Sequence, residues 1–134
     1  MATLAELEPP LVAPGATAVV ARQYQPEVVL DLLEWHRVTL FAGGPASIYV
    51  GLVNSPRIES VDLTSLRFSL AGGAPCPEAL LVRWRELAGH AILEGWGMSE
   101  TSPTGTGTPK GGYRPGSAGV PLPGCLIEFV DVND

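Results

Sequence analysis

Three features of this sequence predict a parallel α/β fold. Short apolar runs rich in β-branched residues alternate with stretches of helical periodicity. The runs are almost continuously apolar, as strands buried on both faces are, and do not alternate with polar residues. Glycine- and proline-containing turns also punctuate the runs. With 134 residues, the chain is one domain or part of one, and a hydrophobic content of 46% with 16% charged residues suits a packed globule.

The elements follow in order. The turn Pro14-Gly15 introduces an expected strand over Ala16–Ala21. Pro26 fits the first turn of a helix, where its missing N–H costs nothing. Val28, Val29, Leu32 and Leu33 then recur at helical spacing and predict its apolar face. Val38–Ala42 reads as the next strand and stops at Gly43-Gly44-Pro45. A short helix follows with Ile48, Tyr49, Leu52 and Val53 inward, and Asn54-Ser55-Pro56 ends it. Leu66–Leu70 reads as a third strand. Pro77 opens a third helix with Leu80, Leu81, Trp84, Leu87 and Ala88 inward, and Gly89 is its C-terminal stop. Ala91–Leu93 is a fourth strand. A stretch rich in Gly, Thr and Pro (Thr101–Gly119) precedes Leu126–Val130, expected as a strand that begins a different sheet.

In parallel sheets, ligands bind beyond the carboxyl ends of the strands. Three unusual loops fall at such ends: Gly43-Gly44-Pro45, Ala71-Gly72-Gly73-Ala74-Pro75 and Gly95-Trp96-Gly97-Met98-Ser99-Glu100. Paired glycines remove side chains where a flat ring could lie on peptide backbone. Trp96 can stack on a heterocycle, Ser99 can donate to a phosphate oxygen, and Glu100 is a hard oxygen ligand for magnesium. Taken singly, each loop is also what a tight turn, a core tryptophan or a solvated carboxylate would look like. Their placement at one sheet edge favours a site for an adenine nucleotide.

Charge and cysteine usage narrow the partners. A formal net charge of −6 with scattered basic residues argues against an electrostatic grip on nucleic acid or anionic lipid. Cys76 and Cys125 show no metal-ligand or redox spacing and read as buried free thiols, which points to a reducing compartment. The acidic opening Met1–Glu8 lacks a basic n-region and an apolar core. The longest apolar stretch, Leu11–Ala21, contains Pro14 and Gly15 and is too short to span a bilayer. A soluble, cytoplasmic protein is the expectation.

Beyond these readings, one ordered set of motifs carries a family likeness. Leu66-Arg67, Gly72-Gly73-Ala74-Pro75, Gly95-Trp96-Gly97-Met98-Ser99-Glu100-Thr101-Ser102-Pro103, Arg114-Pro115-Gly116-Ser117-Ala118-Gly119 and Pro121-Leu122-Pro123-Gly124, with the earlier Val38-Thr39 and Gly44-Pro45, resemble the AMP-forming acyl-adenylating ligases. The likeness covers essentially the whole chain. It implies that Gly72, Gly73, Ala74 and Pro75 border the adenine and that Gly95, Trp96 and Gly97 form its other wall, with Met98 beside them. Ser99 would contact the α-phosphate where the family usually has threonine, and Glu100 would carry magnesium. Gly43, Gly44 and Pro45 would border an acyl pocket. Met98 where peptide-synthetase adenylation domains have proline favours the CoA-ligase branch. The implied cofactors and substrates are ATP, Mg2+, coenzyme A and a small carboxylic acid.

The same resemblance frames the chain as part of an AMP-binding domain. Residues 11–100 would be its parallel α/β part, 101–119 a loop, and 120–134 the start of a following β subdomain. Ser99 for threonine, Ala71 for a common serine and Gly44 for a common valine depart from the pattern without removing an essential group. The family's upstream phosphate loop, ribose aspartate, hinge and C-terminal lysine find no match here, so an internal slice that is inactive alone is expected. Thr106–Gly111 mimics the end of the phosphate loop but lies on the wrong side of Glu100, and Lys110 is read as solvated. Two rivals remain at this stage. One is a non-catalytic nucleotide-binding remnant. The other is a serine hydrolase using Ser99 in Gly97-Met98-Ser99-Glu100-Thr101, which lacks the final glycine of a nucleophile elbow. His36 and His90 both precede that serine and read as helix-end residues.

Overall fold

The computed structural model describes residues 15–101, 104–109 and 111–131. Helix α1 spans Pro26–Trp35, strand β1 Leu40–Gly44 and helix α2 Ala46–Val53. A 3-10 turn at Ile58–Ser60 leads to β2 (Phe68–Ala71), α3 (Glu78–Ala88) and β3 (Ile92–Glu94). A second 3-10 turn at Ser99–Thr101 is followed by the two-residue strands β4 (Thr106–Gly107) and β5 (Val120–Pro121).

The sheet order is β1-β2-β3, all parallel, with Leu70 opposite both Ala42 and Leu93. Each step moves one strand in the same direction. Because strand–helix–strand crossovers are right-handed, successive steps of this kind put their helices on one face. That is why one face is core while the other is open among the described residues, in contrast to the expected double cover. Ser69, Ala71 and Ile92 are buried on the helical side, whereas Leu40, Phe68 and Leu70 remain exposed on the opposite side.

The core is one cluster built from α1, α2, α3 and the inner sheet face. Tyr49 and Trp84 have no exposed surface and meet edge to face, with centroids 4.9 Å apart. Phe41 packs edge-on against Tyr49 at 5.3 Å. The Tyr49 hydroxyl donates to Leu70 O at 2.7 Å, so α2 is fastened to the middle of β2. Trp84 Nε1 donates to Ser69 Oγ at 3.1 Å, and Ser69 Oγ lies 2.9 Å from His90 Nε2. Ion pairs Arg57–Asp31 and Arg83–Glu59 link the helical layer at its surface.

Helix α1 buries Val29, Leu30 and Leu33, so its inward stripe is turned by about one residue from the expected one and leaves Val28 exposed. Helix α3 buries Leu80, Leu81 and Trp84 as expected, with Leu87 and Ala88 partly buried. It ends at Gly89 with φ of 75°, a left-handed cap whose N–H bonds Arg85 O.

Two expected strands do not form. Residues 16–21 are exposed and form no strand, and Leu126–Val130 is likewise without a ladder, with Leu126 and Phe129 almost wholly in solvent. A β-branched run becomes a strand only beside a neighbour that takes its N–H and C=O groups, and β1 pairs only with β2 among the described residues. The loop 101–119 does contribute a strand: β4 pairs antiparallel with β5, with Thr106 opposite Pro121. Met1–Pro14, which includes the start of Leu11–Ala21, lies outside the described residues, as do Ser102, Pro103 and Lys110.

Candidate active site

The site begins with three strand ends side by side. Gly72 N–H donates to Gly44 O at 3.1 Å and Gly95 N–H donates to Ala71 O at 3.0 Å, continuing the parallel ladder one residue past the strands. The three predicted loops are therefore stitched together through backbone. A Cβ added to Gly72 would stand 3.3 Å from Gly95 O, a tighter contact than side chains normally make. The absent side chain is what lets the second and third tips close up. Gly73, with φ of 82°, turns the chain away and leaves Gly73, Ala74 and Pro75 exposed around that seam.

Gly44 has φ of 75°, which glycine adopts at no cost, and Pro45 caps the start of α2. Gly43 also has a packing role. A Cβ there would fall 2.6 Å from the Tyr49 ring, so its small size is a packing requirement of the core aromatic.

Trp96 is held by its backbone and one ring face. Its N–H bonds Thr106 Oγ1 at 3.0 Å, and its carbonyl accepts from Gly105 and Thr106 N–H, each at 2.9 Å. Gly105 lies under the ring, where a Cβ would reach 2.8 Å from Cζ3. The indole remains 44% exposed, so a large part of it is free to take a ligand. Thr106 Oγ1 in turn donates to Ala118 O at 2.6 Å, so the β4–β5 ribbon buttresses the tryptophan from behind. Met98, Ser99 and Glu100 are exposed on the following turn.

Glu94 was not singled out in the sequence, and Thr106 only as the start of a phosphate-loop lookalike. Glu94 ends β3, directly before Gly95, with its side chain 8% exposed. Its Oε1 accepts the Cys76 N–H at 2.8 Å, while Oε2 is buried without a hydrogen-bond partner among the described residues. The signal was a carboxylate inside an apolar strand, where a charge is costly unless something takes it. Burial, followed by the charge and hydrogen bond of Glu94, pushes the Cys76 thiol up to about 11, so it is neutral and inert near neutral pH. The Tyr113 phenol is raised first by burial and then by Glu94.

The hydrolase reading finds no support. His90 Nε2 faces Ser69, its Nδ1 lies 2.9 Å from Ala88 O, and His36 stacks on Trp35. A cavity of about 490 Å³ lies elsewhere, at the amino ends of β2 and β3. Arg67, Phe68, His90, Leu93, Thr108 and Tyr113 help line it, and none of the predicted site residues does.

Fold and loops together define a parallel α/β domain with glycine-rich peptide turns joined at neighbouring strand ends. The chain belongs to the AMP-binding enzyme family, whose model matches residues 3–134. It is 34% identical over 110 residues to a long-chain-fatty-acid–CoA ligase of Bacillus subtilis, covering 81% of this chain and 20% of that protein. A feruloyl-CoA synthase of Amycolatopsis is 38% identical over 114 residues, covering 84% of this chain and 23% of the synthase. Among solved structures, the anthranilate CoA ligase AuaEII in complex with anthranoyl-AMP superposes with a TM-score of 0.82 at 28% identity, covering 89% of this chain and 23% of that one. ATP-bound MatB from Rhodopseudomonas palustris gives 0.68 at 33% identity, covering 81% of this chain and 21% of MatB. The chain thus spans about a fifth of the length of these relatives.

Proposed function

We propose that this chain supplies the adenine-cradling and metal-binding segment of an ATP-dependent, AMP-forming carboxylate–CoA ligase. The observation that carries the reading is the stitched row of glycine tips, Gly44 to Gly72 and Ala71 to Gly95, with a half-exposed indole beside it. Gly72, Gly73, Ala74 and Pro75 form one wall for the purine and Gly95, Trp96 and Gly97, with Met98 beside them, the other. Ser99 donates to an α-phosphate oxygen. Gly43, Gly44 and Pro45 sit at the acyl side of the same edge.

The residues present suit magnesium. Glu100 offers an exposed carboxylate, the hard oxygen donor this ion prefers, and would hold it beside the phosphates. Bound there, the ion would neutralise charge developing on the phosphates. In the reaction, a carboxylate oxygen of the acid attacks the α-phosphorus of ATP, and the bond from that phosphorus to the bridging oxygen breaks to release pyrophosphate. The coenzyme A sulfur then attacks the acyl carbon, the bond to AMP breaks, and the thiol proton leaves to solvent. Positioning and charge stabilisation supply most of the rate in such phosphoryl chemistry, and the chain's share is orientation of the adenosine and the α-phosphate. A cytoplasmic setting would supply both proposed co-substrates, ATP and coenzyme A.

Photolabelling with 8-azido-ATP and magnesium tests this reading, because millimolar probe registers weak binding. The expected outcome is modification confined to peptides containing residues 72–75 and 95–98, suppressed by excess ATP and weakened in Glu100→Gln. Labelling that ATP does not suppress, or that maps to the 490 Å³ cavity at the other end of the strands, would overturn it. A fluorophosphonate probe is expected to leave Ser99 unmodified.

A further inference from the structure

We propose that Glu94 is a positioning residue that clamps the two adenine-side loops to each other through its buried carboxylate. The geometry is specific. Glu94 is the last residue of β3 and the root of the Gly95–Glu100 loop, while Cys76 is the first residue after the Ala71–Pro75 loop. The Oε1 to Cys76 N bond of 2.8 Å therefore closes the far end of one loop onto the base of the other. The near ends are already joined by Gly95 N–H to Ala71 O. With both ends fixed, residues 72–75 can hold their shape although Gly73, Ala74 and Pro75 stand in solvent. A third segment joins at the same residue, because Thr108 Oγ1 donates to Glu94 O at 3.0 Å.

A neutral acceptor would satisfy the Cys76 N–H, but an ionised one makes a stronger and shorter bond. The same charge faces the Cys76 thiol, which burial and Glu94 together hold protonated. The thiol is therefore a built-in reporter of the clamp. The proposal rests on the nucleotide reading for what the loops receive, whereas the clamp itself does not.

The test uses the full chain with Cys125→Ser, which leaves Cys76 as its one cysteine. Iodoacetamide alkylation is followed from pH 7 to 10.5, and exchange of the Cys76 amide proton is followed by NMR. Glu94→Gln removes the charge but keeps an acceptor. It is expected to move the alkylation profile to lower pH, with a rate at pH 8.5 raised about threefold or more, while amide exchange changes by less than about threefold. Glu94→Ala is expected to show the same alkylation shift and about tenfold faster amide exchange, together with weaker 8-azido-ATP labelling that Glu94→Gln partly restores. An unmoved alkylation profile in Glu94→Gln would overturn the clamp, whatever the folding of Glu94→Ala. So would equal amide protection in all three chains. If the thiol and amide readouts behave as expected but the parent chain takes no ATP-suppressible label, the nucleotide reading falls and the clamp stands.

Discussion

The Tyr49 hydroxyl, on a residue with no exposed surface, donates to Leu70 O at 2.7 Å and also lies 3.2 Å from Phe41 O, so Tyr49→Phe leaves part-buried carbonyls short of a donor. The expected cost is about 1–2 kcal/mol, read as a lower urea midpoint with an unchanged slope. Cys76 gives a pH signature. Its thiol rises from an ordinary 9.0 to about 11 in the fold, so the folded chain holds the proton more tightly than the unfolded one. The stabilisation is complete below pH 9 and is lost as pH climbs through 11. Urea midpoints at pH 8 and pH 10.5 are expected to lie closer together in Cys76→Ala than in the parent chain, the remaining gap coming from the buried Tyr49 phenol, which burial also raises. Single residues were only partly legible in the sequence. Trp96 and Glu100 stand out as letters because their chemistry is unusual beside glycines. Glu94 acquires meaning only when β2 and β3 are adjacent, since its partner is 18 residues away.

Elements were legible where local chemistry alone decides them. Helix α3 has proline at its entry, an apolar stripe and a glycine stop, and all three hold. Gly89→Ala forces a side chain into the left-handed region and is expected to lower stability by about 1 kcal/mol, measured by thermal unfolding. The two missing strands fail for the opposite reason. Val19 and Val20, or Ile127 and Phe129, have strand chemistry, but pairing is a property of two segments and the second lies out of reach of periodicity. The β4–β5 ribbon was hidden in a loop because two-residue strands leave no pattern, although Gly119 marks it: a Cβ there would sit 2.0 Å from Gly107 O. Gly105→Ala is expected to push the Trp96 ring off its seat and weaken ATP-suppressible labelling severalfold, with the urea midpoint little changed.

On the scale of the whole molecule, a three-stranded sheet with one bare face sets the behaviour. Phe68 is 52% exposed there, flanked by Leu40 and Leu70, and the outer edges of β1 and β3 carry no neighbour in the sheet among the described residues. Unpaired edges beside apolar surface favour self-association. Sedimentation velocity at rising concentration is expected to show it, and Phe68→Lys to reduce it. Catalysis is a property of more residues than these. The purified 134-residue chain is expected to show no acid-dependent exchange of pyrophosphate into ATP, and robust exchange would refute that expectation.

The three indoles divide the spectrum of this protein among them. Trp84 is sealed, Trp35 is 82% in water and Trp96 lies between, on the rim of the cradle. With Trp35 changed to phenylalanine, red-shifted emission comes from Trp96 alone. If the proposed nucleotide site is right, an arriving purine is expected to quench that band, giving a label-free optical titration with the Trp84 signal as its internal standard.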